Sequence, residues 1–240
     1  MARQRDAKLI GTVGNVIYYN HMGEFCMRAK PVSVRRTEAS VHSGLNFGRA
    51  SKISKQIRNI VDQINPSKSN VQAYRLNAAL HTLISWIEKK DAASIKMPDK
   101  LPFIYRFQFN DQSDLSSITA IQPNVKTTVP GITEIDISPL VPSQNLHAPA
   151  NTDSIILKMI LMGVNLAKAE TEKIGSAEIQ IPYSNGIFNP PVISIPNSPK
   201  RGDIVIVVMA VQYIVNKKGE VELLNDIKKM PCGVCWAKYN

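Results

Sequence analysis

The spacing of apolar positions changes its period along this chain, and each change predicts a different element. Over residues 8–30 strand formers run close together: Leu9, Val13, Val16, Ile17, Tyr18 and Tyr19. The tetrad Asn20-His21-Met22-Gly23 interrupts them, and Glu24 to Arg28 follows. This predicts a β-hairpin, with Gly23 able to take positive φ in the turn. Gly11 and Gly14 inside the first strand predict a bulge or a close backbone approach. An isolated hairpin is marginal in water, so this one must pack on the body or on another chain. Residues 31–44 read as extended or loop-like.

The period then becomes helical. Leu45, Ala50, Ile53, Ile57, Ile60, Val61 and Ile64 recur at three- and four-residue steps, giving one apolar face. Asn65-Pro66 ends that helix. After a polar link a second helix is predicted over 71–90, with Ala73, Leu76, Leu80, Leu83, Ile84 and Ile87 as its stripe. Two helices joined by a short link read as an αα-hairpin.

Beyond residue 100 the period becomes two. Phe103, Tyr105, Phe107 and Phe109 alternate with Ile104, Arg106 and Gln108, which predicts a strand. Residues 132–137 alternate too, and 178–181 form a short strand. Long apolar runs at 155–166 and 204–215 predict the two central strands. The sequence Asn216-Lys217-Lys218-Gly219 turns the second into 220–224, and 234–239 closes the sheet. Strands of this number, joined by Pro-rich loops, predict a β-sandwich of immunoglobulin-like size. The whole chain therefore reads as α+β. Residues 1–38 are a basic arm with a hairpin, 39–99 an αα-hairpin, and 100–240 a β-sandwich able to fold alone.

Charge alters this picture at one end only. Residues 1–60 hold eleven Lys/Arg against three Asp/Glu, a net of +8, whereas the remaining residues carry +2 of the total +10. A block of one sign meets a partner of the other sign or is tolerated as a solvated surface. The candidate interface or polyanion-binding residues are Arg3, Arg5, Lys8, Arg28, Lys30, Arg35, Arg36, Arg49, Lys52, Lys55 and Arg58. Lys and Arg release counterions on nucleic acid. The helix bearing the last four has no stacking aromatic except Phe47, and no known nucleic-acid-binding motif is present.

Catalytic chemistry has no signature here. No Gly-x-Ser-x-Gly, Walker loop or His-Glu-x-x-His occurs, and Gly11-Thr12-Val13-Gly14 lacks the third glycine and helix of a dinucleotide site. Cys232-Gly233-Val234-Cys235 has the spacing of half a metal site, but nothing completes the four ligands zinc needs. Cys26 makes the count odd, so no disulfide framework is implied. His81 reads as a packing residue on the second helix. Arg201-Gly202-Asp203 reads as an ordinary turn before a strand. No cofactor is expected, no signal peptide is predicted, and no apolar run reaches the length of a bilayer span. The expected compartment is the cytoplasm, or the exterior by a leaderless route.

The opening MARQR, Gly11-Thr12-Val13-Gly14-Asn15, Tyr18-Tyr19, Met27-Arg28 and Asn46-Phe47-Gly48-Arg49-Ala50-Ser51 together resemble a family of uncharacterised Bacteroidota proteins. That resemblance covers residues 1–60. It implies a Gly-x-x-Gly hairpin, a Phe-Gly-Arg-Ala helix and a β-rich second half, and it implies no active site. Met22 and Phe25-Cys26 depart from the family's pattern.

The leading expectation is a non-enzymatic structural subunit. It would form a homo-oligomer, filament or tube through its arm, with itself as partner. Acidic counterparts would lie around Glu170, Glu172 and Glu178, or Glu220, Glu222 and Asp226. The alternatives are a nucleic-acid or polyanion-binding protein, and a carbohydrate- or protein-binding β-sandwich module.

Overall fold

The computed structural model describes the chain apart from residues 1, 2, 6, 7, 34, 66–68, 92–99, 119, 120, 129, 130, 198–201, 218, 219 and 225. Only the backbone is described for residues 3–5, 8, 90, 91, 117, 118, 128 and 227. The chain divides into two units, Met1–Ser43 and Gly44–Asn240.

The first unit is a four-stranded antiparallel meander of β1 (Arg3–Arg5), β2 (Lys8–Val13), β3 (Val16–His21) and β4 (Glu24–Ala29), in that order across the sheet. It has two more strands than the sequence predicts. Gly14, expected in a bulge, instead forms a tight turn with Asn15, and Val13 pairs with Val16. Two residues of this type between strand formers are enough for a hairpin. The next turn has Met22 and Gly23 at φ 52° and 90°, the paired positive φ values that match the twist of the flanking strands. The Asn20 side chain accepts the Gly23 amide at 2.9 Å and closes it.

The helix α1 (Glu38–Val61) starts well before Leu45, because Thr37 caps it. The Thr37 hydroxyl accepts the Ser40 amide at 3.2 Å. After it comes α2 (Asn70–Asp91), capped by Ser69, whose hydroxyl accepts the amides of Val71 and Gln72 at 3.1 and 3.4 Å. The remaining strands are β5 (Asn124–Thr128), β6 (Ile132–Asp136), β7 (Thr152–Asn165), β8 (Glu170–Pro182), β9 (Ile193–Pro196), β10 (Asp203–Lys217), β11 (Glu220–Leu223) and β12 (Cys232–Tyr239).

β7 and β10 pair antiparallel along their lengths, from Asp203 opposite Asn165 to Val215 opposite Thr152. β8 pairs with the other side of β7, while β11 and β12 share the other side of β10. The resulting curled antiparallel sheet has a core on each face. On one face Ile160, Met162, Ile204, Ile206 and Val208 meet Ile53, Ile57, Leu76, Leu80 and Leu83 from the two helices. On the other, Leu157, Met159, Leu161, Val207 and Met209 meet Ile135 and Ile195 of a three-stranded sheet ordered β5-β6-β9. Burial on both faces explains why the β10 sequence is an unbroken apolar run rather than an alternation. Each such side chain fully buried contributes about 1.5–3 kcal/mol.

Four readings of the sequence are corrected here. Residues 103–109 are not a strand. Phe103 and Arg106 take φ of 68° and 64°, and the buried residues are Leu101, Ile104, Phe107 and Phe109. The segment is a run of turns hydrogen-bonded to β12 through Arg106 N to Val234 O and Phe109 N to Cys232 O. β8 runs the length of β7 rather than being a short strand at 178–181. Its first half is polar because one face is open to solvent. β5 and β9, not read from the sequence, complete the second core. Finally, residues 100–240 are not a separate body. The helices supply half of a core shared with the sheet, and Gly44–Asn240 is one unit.

Two predictions follow from this packing. A fragment of residues 100–240 would bare Ile160, Met162, Ile204, Ile206 and Val208, and a patch of that kind drives association. Expressed alone, it should aggregate or lack near-ultraviolet circular dichroism. A monomeric fragment with a cooperative melt would show that the helices are dispensable. The second concerns Gly175, where an added Cβ would sit 2.6 Å from Ile195 Cγ2. The β-branched Ile195 side chain is stiff at that atom. Gly175→Ala should therefore cost about 1–3 kcal/mol in urea unfolding. Ile195→Ala in the same chain should recover part of that loss.

Candidate functional site

The eleven basic residues fall on several elements of the two units, seven in the first and four on α1 in the second. Arg3 and Arg5 lie on β1, and Lys8 opens β2, the two strands of the sheet farthest from β4. Arg28 lies on β4, with its guanidinium 5.7 Å from the centre of the Tyr19 ring, within cation–π range. Lys30 follows β4, its amide donating to Asn15 O at 2.7 Å. Arg35 and Arg36 are exposed just before α1.

The four cations of α1 do not share a stripe. A step of three residues turns an α-helix by about 300°, so three such steps place Arg58 about half a turn round from Arg49. Arg49 pairs with Glu88 of α2 at 3.3 Å, and Asn46 donates to the other oxygen of that carboxylate at 2.7 Å. Lys52 Nζ lies 3.5 Å from the carbonyl of Lys168. Lys55 is exposed, and Arg58 is half-buried at a cavity of about 350 Å³ shared with Asp62 and Asn70. Two of the four thus serve the fold of the second unit.

The acidic groups expected to receive the arm are partly taken. Lys158 engages Glu178 at 3.7 Å, Lys217 engages Glu222, and Lys229 engages Asp226 at 3.7 Å. Glu170 and Glu172 line a cavity of about 370 Å³ with Asn165, Lys168 and Asp203. The Asn165 amide donates to the Asp203 carboxylate at 2.8 Å there. Among the described residues that line that cavity there is no Ser, Cys or His. Among the described residues no three His, Cys, Asp or Glu stand close enough to hold a metal.

The Cys-x-x-Cys pair is pulled apart by the strand. Trp236 stands opposite Val207 and Val234 opposite Val208, so Cys235 is the extra residue of a bulge. Cys232 enters the core beneath the helices and Cys235 borders the other one. They cannot chelate one ion together. Burial pushes both thiols up, Cys235 to about 12. Cys232 is buried and Cys235 partly so, and a thiol whose ionisation is suppressed by its surroundings is a poor nucleophile. His81 packs edge-on against Phe47, ring centroids 6.2 Å apart. Arg201 of the Arg-Gly-Asp triplet lies outside the described residues, as does the Lys218-Gly219 part of the turn after β10.

The feature that sequence reasoning passed over is the arm's faces. Register places Val13, Val16 and Ala29 in one row, and Tyr18 with Met27 and Asn20 with Phe25 in the next two. One face is therefore largely apolar. The other carries Ile17, Tyr19, His21, Glu24, Cys26 and Arg28. No described residue of Met1–Ser43 is buried. Val13 remains 49% exposed and Met27 74%. The signal was present in the sequence once Gly14-Asn15 is read as a turn. No helix among the described residues is long and apolar enough to cross a membrane. Comparison of the chain with family models, characterised proteins and solved structures returns no match.

The thiol environments give a prediction. Under native conditions at pH 8, one thiol per chain, Cys26, should react quickly with iodoacetamide, and three should react in denaturant. Fast labelling of Cys235 in the folded protein would show its strand to be open. The pH sign also follows. The raised thiols favour the protonated folded state, so their contribution is complete below the ordinary value of 9 and is lost as pH rises towards about 12.

Proposed function

We propose that the chain is a non-enzymatic structural subunit that builds a homo-oligomer, closed or extended into a filament or tube, through its N-terminal arm. In this reading α1 and α2 act as an αα-hairpin over a β-sandwich formed by the two sheets of the second unit. The supporting observation is the exposed apolar face of the four-stranded arm. A patch of this kind on a sheet marks an interaction surface. Among the described residues no strand pairs with the outer edge of β1 or β4, to which another chain can add a strand. Contacts between copies close into rings or run on as filaments, according to the rotation they impose.

Polyanion binding is the second reading. It rests on Arg28 and Tyr19, which put a cation and an aromatic ring on one face of the arm. Stacking and phosphate contact together would suit a single-stranded nucleic acid.

Light scattering on the full chain separates the two. Assembly should persist in 0.5 M NaCl, and Met27→Glu should reduce the mass to that of one chain while leaving the melting of the second unit unchanged. Binding of an oligonucleotide that weakens steeply with salt would favour the second reading. A monomer at every concentration would overturn the first.

A further inference from the structure

The reading that the arm builds the assembly leaves its receiving surface undefined, and the register of β4 supplies one. We propose that β4 pairs antiparallel with β4 of a second copy about a two-fold axis at Cys26, giving an eight-stranded sheet that is continuous across two subunits. The proposal rests on the reading above and adds the partner surface to it.

β4 ends the strand order, and no strand among the described residues pairs with its outer side. A two-fold axis perpendicular to the sheet keeps each face on its own side, so it must pass through a residue rather than between two. With Cys26 on the axis, Glu24 stands opposite the partner's Arg28, Phe25 opposite the partner's Met27, and Cys26 opposite itself. By symmetry each pair occurs twice. The strand is thus self-complementary in charge and in apolar character. Phe25 and Met27 lie on the face that carries Val16 and Tyr18, so the apolar face runs unbroken through the joint. Glu24 and Arg28 lie on the other face, where Arg28 has the Tyr19 ring beside it and no ion pair among the described residues. Moving the axis to Met27 would set both copies of Arg28 against Cys26 instead of a glutamate, and would shrink the two Phe25–Met27 pairs to Phe25–Ala29.

The arm's net positive charge does not oppose this arrangement. Strands in a sheet stand about 4.8 Å apart. In the eight-stranded sheet the two copies of β1 would be separated by seven spacings, roughly 33 Å, and the two copies of β2 by roughly 24 Å. Both distances exceed the screening length of about 8 Å at physiological salt. The cations nearest the joint, the two copies of Arg28, each face a glutamate.

Two full-length single variants and their combination test the pairing. Glu24→Arg and Arg28→Glu should each raise the dimer dissociation constant at least tenfold in light scattering or sedimentation. The double variant E24R/R28E should restore the wild-type value. Cys26 reports the axis independently. Directly opposite residues of an antiparallel pair have Cα atoms about 4.5–5.5 Å apart. That separation lies within the reach of a disulfide. Treatment of the wild-type chain with diamide should give a Cys26–Cys26 cross-linked dimer. Two thiols are oxidised to one disulfide, and their two protons and two electrons reduce diamide to the hydrazine. Cys26→Ser should give no such dimer. If the chain assembles but E24R/R28E gives no rescue, the β4 pairing is wrong and assembly through another part of the arm stands. If the wild-type chain is monomeric throughout, the pairing and the assembly reading fail together. Should both single variants misfold, the wild-type cross-link decides alone, and its absence overturns the pairing.

Discussion

The second unit depends on a strand pair that cannot face water on either side. β7 and β10 run antiparallel, yet both are apolar on both faces, as is usual only for sheets with cover above and below. Two covers are therefore required, and the chain supplies them from different regions. The helices before residue 92 cover one face, and β5, β6 and β9 with their loops cover the other. Everything else in the unit adjusts to that demand. β12 carries a bulge at Cys235 that lets Val234 and Trp236 enter different cores. Gly175 stays without a side chain because Ile195 needs its place.

The first unit has the opposite problem. Its four strands satisfy one another's backbone groups, but one layer cannot bury its own apolar face. Three or more strands are stable when that face is covered. In the assembly proposed here, the cover and the missing strand neighbours come from other copies of the chain. The basic charge of the region is then a property of the far strands of the sheet and of the segment before α1, more than of the joint itself. Within α1 the four cations do not share one face. Arg49 and Lys52 are spent on holding α1 to its surroundings, and Arg58 has rotated away from them.

Several parts of this arrangement are legible in the sequence. Long apolar runs revealed β7 and β10, and three- and four-residue spacing revealed both helices, because burial imposes those patterns directly. β8 was mostly missed, since an edge strand with one solvated face carries Glu170, Glu172 and Lys173 and reads as a loop. Phe103 to Phe109 misled for a different reason. Four aromatics at alternate positions mimic a strand, but left-handed φ at Phe103 and Arg106 brings Leu101, Ile104 and Phe107 to the core instead. No local pattern announces that choice; contact with β12 decides it. In the arm the basic residues were visible and drew the attention, while the apolar face emerged only with the register, which turns on whether Gly14 bends a strand or ends it.

Amide hydrogen exchange along β3 and β4, followed as a function of protein concentration, tests the central claim that the arm is completed by other copies of the chain. If other copies complete the arm, exchange in β4 slows as concentration rises through the assembly range, while the amides of β10, buried within each chain, exchange at one slow rate throughout. Equal protection of β4 at all concentrations, including those at which the chain is a monomer, would mean that the arm is complete by itself and would contradict the account.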